Sequence, residues 1–392
     1  MLSGCLRVTL ALLAGSGSLA AQSGGSVSQA GSAGSARAAT DRLIRAYMRD
    51  QHVPGASVAV VSGGRLVYAR GYGWADLEDS VPVTPRTRFP SASTAKLLTA
   101  TAVLQLADQG KLALEDAVQA HCPAYPAKRW PVTVGRLLVH QGGVRPSVGG
   151  DVFNRVHYGS VEAAVGAFAD DTLVAEPGTR QIYSNAGYVL LACAVEGASG
   201  TTFDRYLQAH VLGPAGMTAT TLGSIYRIIP HRAGAYMVRT EANTRAWQGL
   251  WTAAHLAETE IDVPFRADPL DESFATGASN YLTTPSDLAR FVIALDDGRL
   301  IGRERLAAML SDQPTSDGQP TGRGYGWVVA GTGRSLVARL SGSVWTGSSA
   351  VRWAPSERLA VVLSTNLGFQ QPDAVLDSVA RVWEREGAPA SR

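Results

Sequence analysis

The stretch Phe89-Pro90-Ser91-Ala92-Ser93-Thr94-Ala95-Lys96 leads into a run of good helix formers. From Ser93 to Ala107 the apolar positions Leu97, Val103, Leu104 and Leu106 mark a helix that ends near Gly110. Residues three apart share a helix face, so the Ser93 hydroxyl and the Lys96 amine are neighbours. A serine is a poor nucleophile until a base takes its proton. A buried Lys with a lowered pKa can be that base. The same spelling also suits a surface Lys with Ser93 capping the helix start. Composition bears on the choice. The chain has 35 basic residues, yet Lys occurs only at Lys96, Lys111 and Lys128. Arg fills every other cationic position and cannot give up its proton, so any Lys needs a reason, and on Ser93 and Lys96 alone both readings stay open.

Outward from this segment, Thr40 to Gln51 places Leu43, Ile44, Tyr47 and Met48 on one helical face. Ser57 to Val61, a Gly63-Gly64 turn and Arg65 to Ala69 read as a hairpin. Helical segments follow at Thr133 to Val139, Val161 to Phe168, Ala186 to Val195 and Phe203 to Val211. Thr284-Pro285-Ser286-Asp287 is a capping box that starts a helix through Leu295. Strand signals return at Tyr325 to Ala330, Ser335 to Leu340, Ser349 to Trp353 and Leu359 to Ser364, before a last helix at Asp373 to Glu386. Strands at both chain ends predict one antiparallel sheet flanked by helices, with a mostly helical insertion at about residues 100–310. That is an α+β fold.

With 392 residues, 17% charged residues and a formal net charge of +2, the chain is neither a disordered segment nor a basic nucleic-acid binder. Residues 1–21 read as a signal peptide: Arg7, the apolar Val8 to Ala14, and small residues for cleavage. Gln22 to Arg37 reads as a flexible Gly/Ser/Ala linker, and residues 38–392 as the folded domain. The expected location is therefore exported, periplasmic or secreted, with no membrane span after signal removal. Cys122 and Cys193 would remain. Cys193 lies in an apolar run and reads as a buried thiol, with a disulfide left open. No metal-ligand spacing appears, and neither a metal nor a cofactor is expected.

Two further constellations accompany Ser93 and Lys96. Tyr183-Ser184-Asn185 follows Pro177-Gly178 and precedes an apolar helix. It suits a helix cap, and it also suits a phenol that carries a proton beside an amide that orients a partner. Leu340-Ser341-Gly342-Ser343 ends a strand, where Gly342 would let a substrate backbone approach. Taken alone, each has an ordinary structural explanation.

In this order, the three resemble the penicillin-recognising serine hydrolases, in particular their class C β-lactamase-like branch. That branch includes DD-carboxypeptidases, family VIII esterases, D-aminopeptidases and the mitochondrial β-lactamase-like protein. Further matches are Leu137-Leu138-Val139-His140-Gln141-Gly142-Gly143, with Gly142 where Ser is usual, and Leu212-Gly213-Pro214-Ala215-Gly216-Met217. The resemblance spans roughly Ala38 to Glu386. It implies acyl transfer with Ser93 as nucleophile, Lys96 and Tyr183 sharing the general-base role, and Asn185 positioning Lys96 and substrate. The backbone N–H groups of Ser93 and Ser343 would form the oxyanion hole, and Ser341-Gly342 the strand edge that binds substrate. His140 would be structural.

One departure bears on substrate. The family's third motif begins with Lys or His, and here Leu340 holds that position. Arg339 is adjacent but belongs to the opposite strand face. A lost charge-assisted hydrogen bond costs on the order of 1.5–3 kcal/mol of carboxylate recognition. The expected substrates are small esters or uncharged amides and peptides rather than β-lactams or DD-peptides. The competing readings are a β-lactamase or DD-carboxypeptidase and, in another class, a non-catalytic penicillin-binding or sensor-like module. The Leu222 to Thr276 segment, with Trp247 and Trp251, is expected to shape the pocket, joined by Tyr325 and Trp327.

Overall fold

The computed structural model describes residues 25–146, 155–246 and 251–387. The expected signal peptide and Trp247 lie outside them. Seven antiparallel strands form the main sheet: β1 (Gly55–Ser62), β2 (Arg65–Asp76), β3 (Val81–Pro82), β4 (Val328–Ala330), β5 (Val337–Val344), β6 (Gly347–Ala354) and β7 (Leu359–Thr365). Their spatial order is β3-β2-β1-β7-β6-β5-β4. The central pairing of β1 with β7 sets Ala59 opposite Val362 and joins the two chain ends, as the strand signals require.

Both faces of this sheet are covered, and alternation sorts its side chains between two cores. Val58, Val60, Val361 and Leu363 pack under helices α1 (Gly25–Asp50) and α6 (Asp373–Gly387) with Ile44, Val379 and Trp383. Ala59, Val61, Leu340, Val351, Trp353 and Val362 face the larger core beneath α2 (Ala95–Asp108), α3 (Val134–Leu138), α4 (Asn185–Ser199) and α5 (Pro285–Asp296). The helical insertion thus sits on one face of the sheet and the terminal helices on the other. The α5 start matches its sequence signal, since Thr284 Oγ1 accepts from the Asp287 N–H at 3.1 Å and Pro285 takes the first turn.

Two expectations need correction. The Gln22 to Arg37 stretch is helical from Gly25 rather than a flexible linker. Alanine supplies helix propensity there, and tertiary contacts hold the helix down. Ala36 is buried, and the Trp383 indole N–H donates to Thr40 Oγ1 at 3.0 Å. Cys193 is not a free thiol: it forms a disulfide with Cys122 across 71 residues, with Cα atoms 5.4 Å apart. Gly197 on α4 allows the approach, because a Cβ there would collide with the His121 carbonyl.

Candidate active site

Three elements bring the sequence-predicted residues together. The first is the turn into α2. Ala92, just before Ser93, is fully buried with φ +46°, a conformation that L-residues adopt only where surroundings impose it. Ser91 fixes the turn by donating its hydroxyl to the Ser279 carbonyl at 2.9 Å. One turn later Lys96 is 1% exposed, with its amine directed back at Ser93.

The second element is the N-terminus of α4. Ser184 caps the helix by accepting from the Gly187 N–H at 3.1 Å, which leaves Tyr183 and Asn185 on either side of the cap. Tyr183-Ser184-Asn185 is thus both a helix start and a chemical cluster. The Tyr183 hydroxyl lies 2.6 Å from Ser93 Oγ, and Lys96 Nζ donates to Asn185 Oδ1 at 2.8 Å. Lys96 also donates to Ser93 Oγ at 3.2 Å and to the Ala278 carbonyl at 3.0 Å. Burial pulls the Lys96 pKa below its usual value, and the adjacent Tyr183 opposes part of that shift.

The third element is β5. A Cβ on Gly342 would stand 2.7 Å from Ser93 Cβ, so only glycine lets this strand lie against the turn at Ser93. Alternation decides the rest. Leu340 shares the Gly342 face and is buried in the larger core. Arg339 points the other way, donating to Asp377 on α6 at 2.8 Å, and does not replace the missing cation. Ser341 also turns away from Ser93: its hydroxyl donates to Asp373 Oδ1 at 2.6 Å. The Ser343 hydroxyl pairs with Ser348 at 2.6 Å. Side chains of Leu340, Ser341 and Ser343 therefore do not join the cluster, and β5 meets Ser93 through its backbone at Gly342.

His140 is buried directly behind Tyr183, with ring centroids 4.4 Å apart. Its Nδ1 accepts from the Ser184 N–H at 3.3 Å, and burial holds its pKa well below the usual value, which keeps the ring neutral. Tyr188 sits beneath, donating to the Leu138 carbonyl at 2.7 Å. Trp327 is not a pocket residue: it is fully buried against Trp353. Trp251 likewise packs in a core cluster with Trp345. The Ala278 carbonyl on Lys96 had no sequence signal, since any residue supplies a carbonyl. Among the described residues no group of His, Cys, Asp and Glu is arranged to hold a metal ion.

Known proteins share this architecture. The octameric penicillin-binding protein homologue from Pyrococcus abyssi superposes with a TM-score of 0.71 at 24% identity, covering 86% of this chain and 75% of that one. FmtA from Staphylococcus aureus superposes with a TM-score of 0.71 at 19% identity, covering 90% of each chain. In sequence, Penicillin-binding protein 4* of Bacillus subtilis is 27% identical over 329 residues, 80% of this chain and 69% of that protein. Protein flp of Staphylococcus aureus (strain MW2) is 30% identical over 244 residues, 59% of this chain. The match spans about half of that relative, 49% of its length. The Beta-lactamase family profile matches residues 40–382, so the chain belongs to the Beta-lactamase family.

Proposed function

We propose that the protein is an exported serine hydrolase that works through an acyl-enzyme on Ser93. Family membership supports a serine hydrolase or a penicillin-binding-protein-like acyl transferase. The observation that carries the finer reading is the hydroxyl of Ser93 held between Lys96 Nζ at 3.2 Å and the Tyr183 hydroxyl at 2.6 Å. Ser93 Oγ attacks a carbonyl carbon as its proton passes to the Lys96–Tyr183 pair. The backbone N–H groups of Ser93 and Ser343 receive the oxyanion. When the tetrahedral centre collapses, the leaving alcohol or amine takes the proton from the same pair. Water then attacks the ester carbonyl and gives its proton to the pair; as the acyl–Oγ bond breaks, the pair returns that proton to Ser93 Oγ and the acid leaves. Asn185, bonded to Lys96, keeps the amine aimed at Ser93.

The substrate reading follows from β5. With Leu340 buried and Arg339 turned to Asp377, this strand presents no cation to a substrate carboxylate. Esters and uncharged amides or peptides fit that edge better than β-lactams or DD-peptides. Export is supported by the disulfide, which suits an oxidising compartment. Among the described residues no helix is long and apolar enough to cross a membrane.

The test is intact-mass analysis after a fluorophosphonate probe. One adduct, mapped to Ser93 and absent from Ser93→Ala, is expected. A folded protein that takes no adduct is a non-catalytic module instead. Comparable turnover of nitrocefin and p-nitrophenyl butyrate would overturn the substrate reading and leave the β-lactamase alternative.

A further inference from the structure

A basic, apolar loop projects from the segment between α4 and α5. Residues 205–240 contain four Arg and neither Asp nor Glu. Within this run lies Ser224-Ile225-Tyr226-Arg227-Ile228-Ile229-Pro230-His231-Arg232. Ile228 is 98% exposed, Tyr226 71% and Ile225 43%. A second segment joins the tip: Val156 is exposed, and the His157 ring beside it meets Tyr226 edge-on, with centroids 5.2 Å apart.

The loop is pinned by its own hydrogen bonds. The Ser224 hydroxyl accepts from the Tyr226 and Arg227 N–H groups, each at 3.1 Å. The Arg227 guanidinium donates to the Leu222 carbonyl at 2.6 Å, and that of Arg232 to the Ser224 carbonyl at 2.7 Å. A carbonyl orients a guanidinium without cancelling its charge, and each guanidinium has five N–H donors, so donors remain for another partner. Backbone bonds of Arg88 with His231 and Ala233, at 2.8 and 2.9 Å, bring the segment with the exposed Arg86 alongside.

Single exposed apolar residues are ordinary at a surface, whereas a cluster held on a pinned turn marks a contact surface. Size and charge select the contact. A specific protein interface takes about 20–30 residues a side, far more than this tip offers. Interfacial lipid binding needs only buried apolar area and attraction between basic side chains and anionic headgroups. Tyr suits the headgroup level, and Ile the acyl chains below it.

We propose that the Ser224–Arg232 loop docks the protein on an anionic lipid bilayer. Ile225, Tyr226 and Ile228 enter the interface, and Arg227 and Arg232 donate to lipid phosphates. Ile225 and Arg232 also line a cavity with Pro90, in the segment that leads into Ser93, so the docking loop borders the candidate active site.

The test is co-sedimentation of the full chain with vesicles of equal parts phosphatidylglycerol and phosphatidylcholine, and with phosphatidylcholine alone. The parent is expected to prefer the anionic vesicles, and to bind them more weakly as NaCl rises from about 0.1 M to about 1 M. Ile228→Asp should weaken binding about tenfold or more, with Ile228→Ser in between. Arg227→Gln combined with Arg232→Gln should remove the anionic preference. Circular dichroism checks that each variant stays folded. Parent and variants share one N-terminus, so a bilayer contact made by residues 1–21 would leave Ile228→Asp equal to the parent, and that result overturns the proposal. A parent that binds neither vesicle overturns it as well. So does an Ile228→Asp variant that keeps vesicle binding but turns an oligomer into a monomer in size-exclusion chromatography, which assigns the loop to a second copy of the chain.

Discussion

On the proposed acyl-enzyme mechanism, Lys96 cannot be exchanged for another cation. Arg would keep the charge and could still donate to Asn185, but it could not take the Ser93 proton. Lys96→Arg is therefore expected to lose about 10²–10⁴-fold in kcat while remaining folded, as read by ester hydrolysis alongside circular dichroism. Leu340 gives the converse experiment. It faces the Gly342 side of β5 and is buried, so Leu340→Lys puts an ammonium into an apolar neighbourhood. Two outcomes are expected together: a lower Tm, and a nitrocefin-to-butyrate ratio of kcat/KM raised about tenfold or more, from a new charge-assisted hydrogen bond. A folded variant with no change in that ratio would show that position 340 does not select substrate. At this scale Ser93, Lys96, Tyr183 and Asn185 stood out only through the ordered family motifs, because each alone also suits a helix cap or a surface position; the structure brings the four side chains together. The Ala278 carbonyl that accepts from Lys96 was hidden, because any residue supplies a carbonyl and only tertiary packing brings this one to the amine.

Among the elements, β5 is placed by what Gly342 lacks. Gly342→Ala would set a methyl 2.7 Å from Ser93 Cβ, and the strand or the turn at Ser93 would have to give way. A displacement of about 1 Å at a reacting centre can cost about 10²-fold. Ester turnover should fall by that order with a much smaller change in Tm, a split that separates displaced catalytic groups from general unfolding. Longer elements were legible because they carry several residues of one signal. Apolar, β-branched runs in Ser57 to Val61 and Leu359 to Ser364 located two central strands, and the Thr284 cap located α5. Two-residue strands have no period to read. The pairing of Phe89-Pro90 with Leu282-Thr283, which brings the Ser279 region against the turn at Ser93, follows only from tertiary packing. The helix at Gly25 escaped for a similar reason. Its Gly and Ser residues resemble a linker, and its docking against Trp383 lies more than 340 residues away in sequence.

For the whole molecule, the Cys122–Cys193 bridge and the Glu272 carboxyl set how stability responds to its surroundings. The bridge closes 71 residues of the helical insertion, a loop whose cross-link is worth roughly 2–4 kcal/mol. Dithiothreitol, or the paired Cys122→Ser and Cys193→Ser changes, should lower Tm by several degrees without altering which residue takes the fluorophosphonate. Glu272 adds a dependence on pH. Burial pushes its carboxyl up to about 7 from an ordinary 4.5, against the hydrogen bond donated by Thr346 and the charge of Arg232. The folded protein therefore holds a proton that the unfolded chain has released between those values. Stability from this group is full below about pH 4.5 and is lost as pH rises through about 7. Glu272→Gln stays neutral throughout and keeps an oxygen for Thr346. Its Tm should match the parent's near pH 4.5 and exceed it increasingly up to pH 8. A constant offset across that range would mean that Glu272 is ionised in the folded protein throughout, and that the Arg232 charge outweighs the cost of burial.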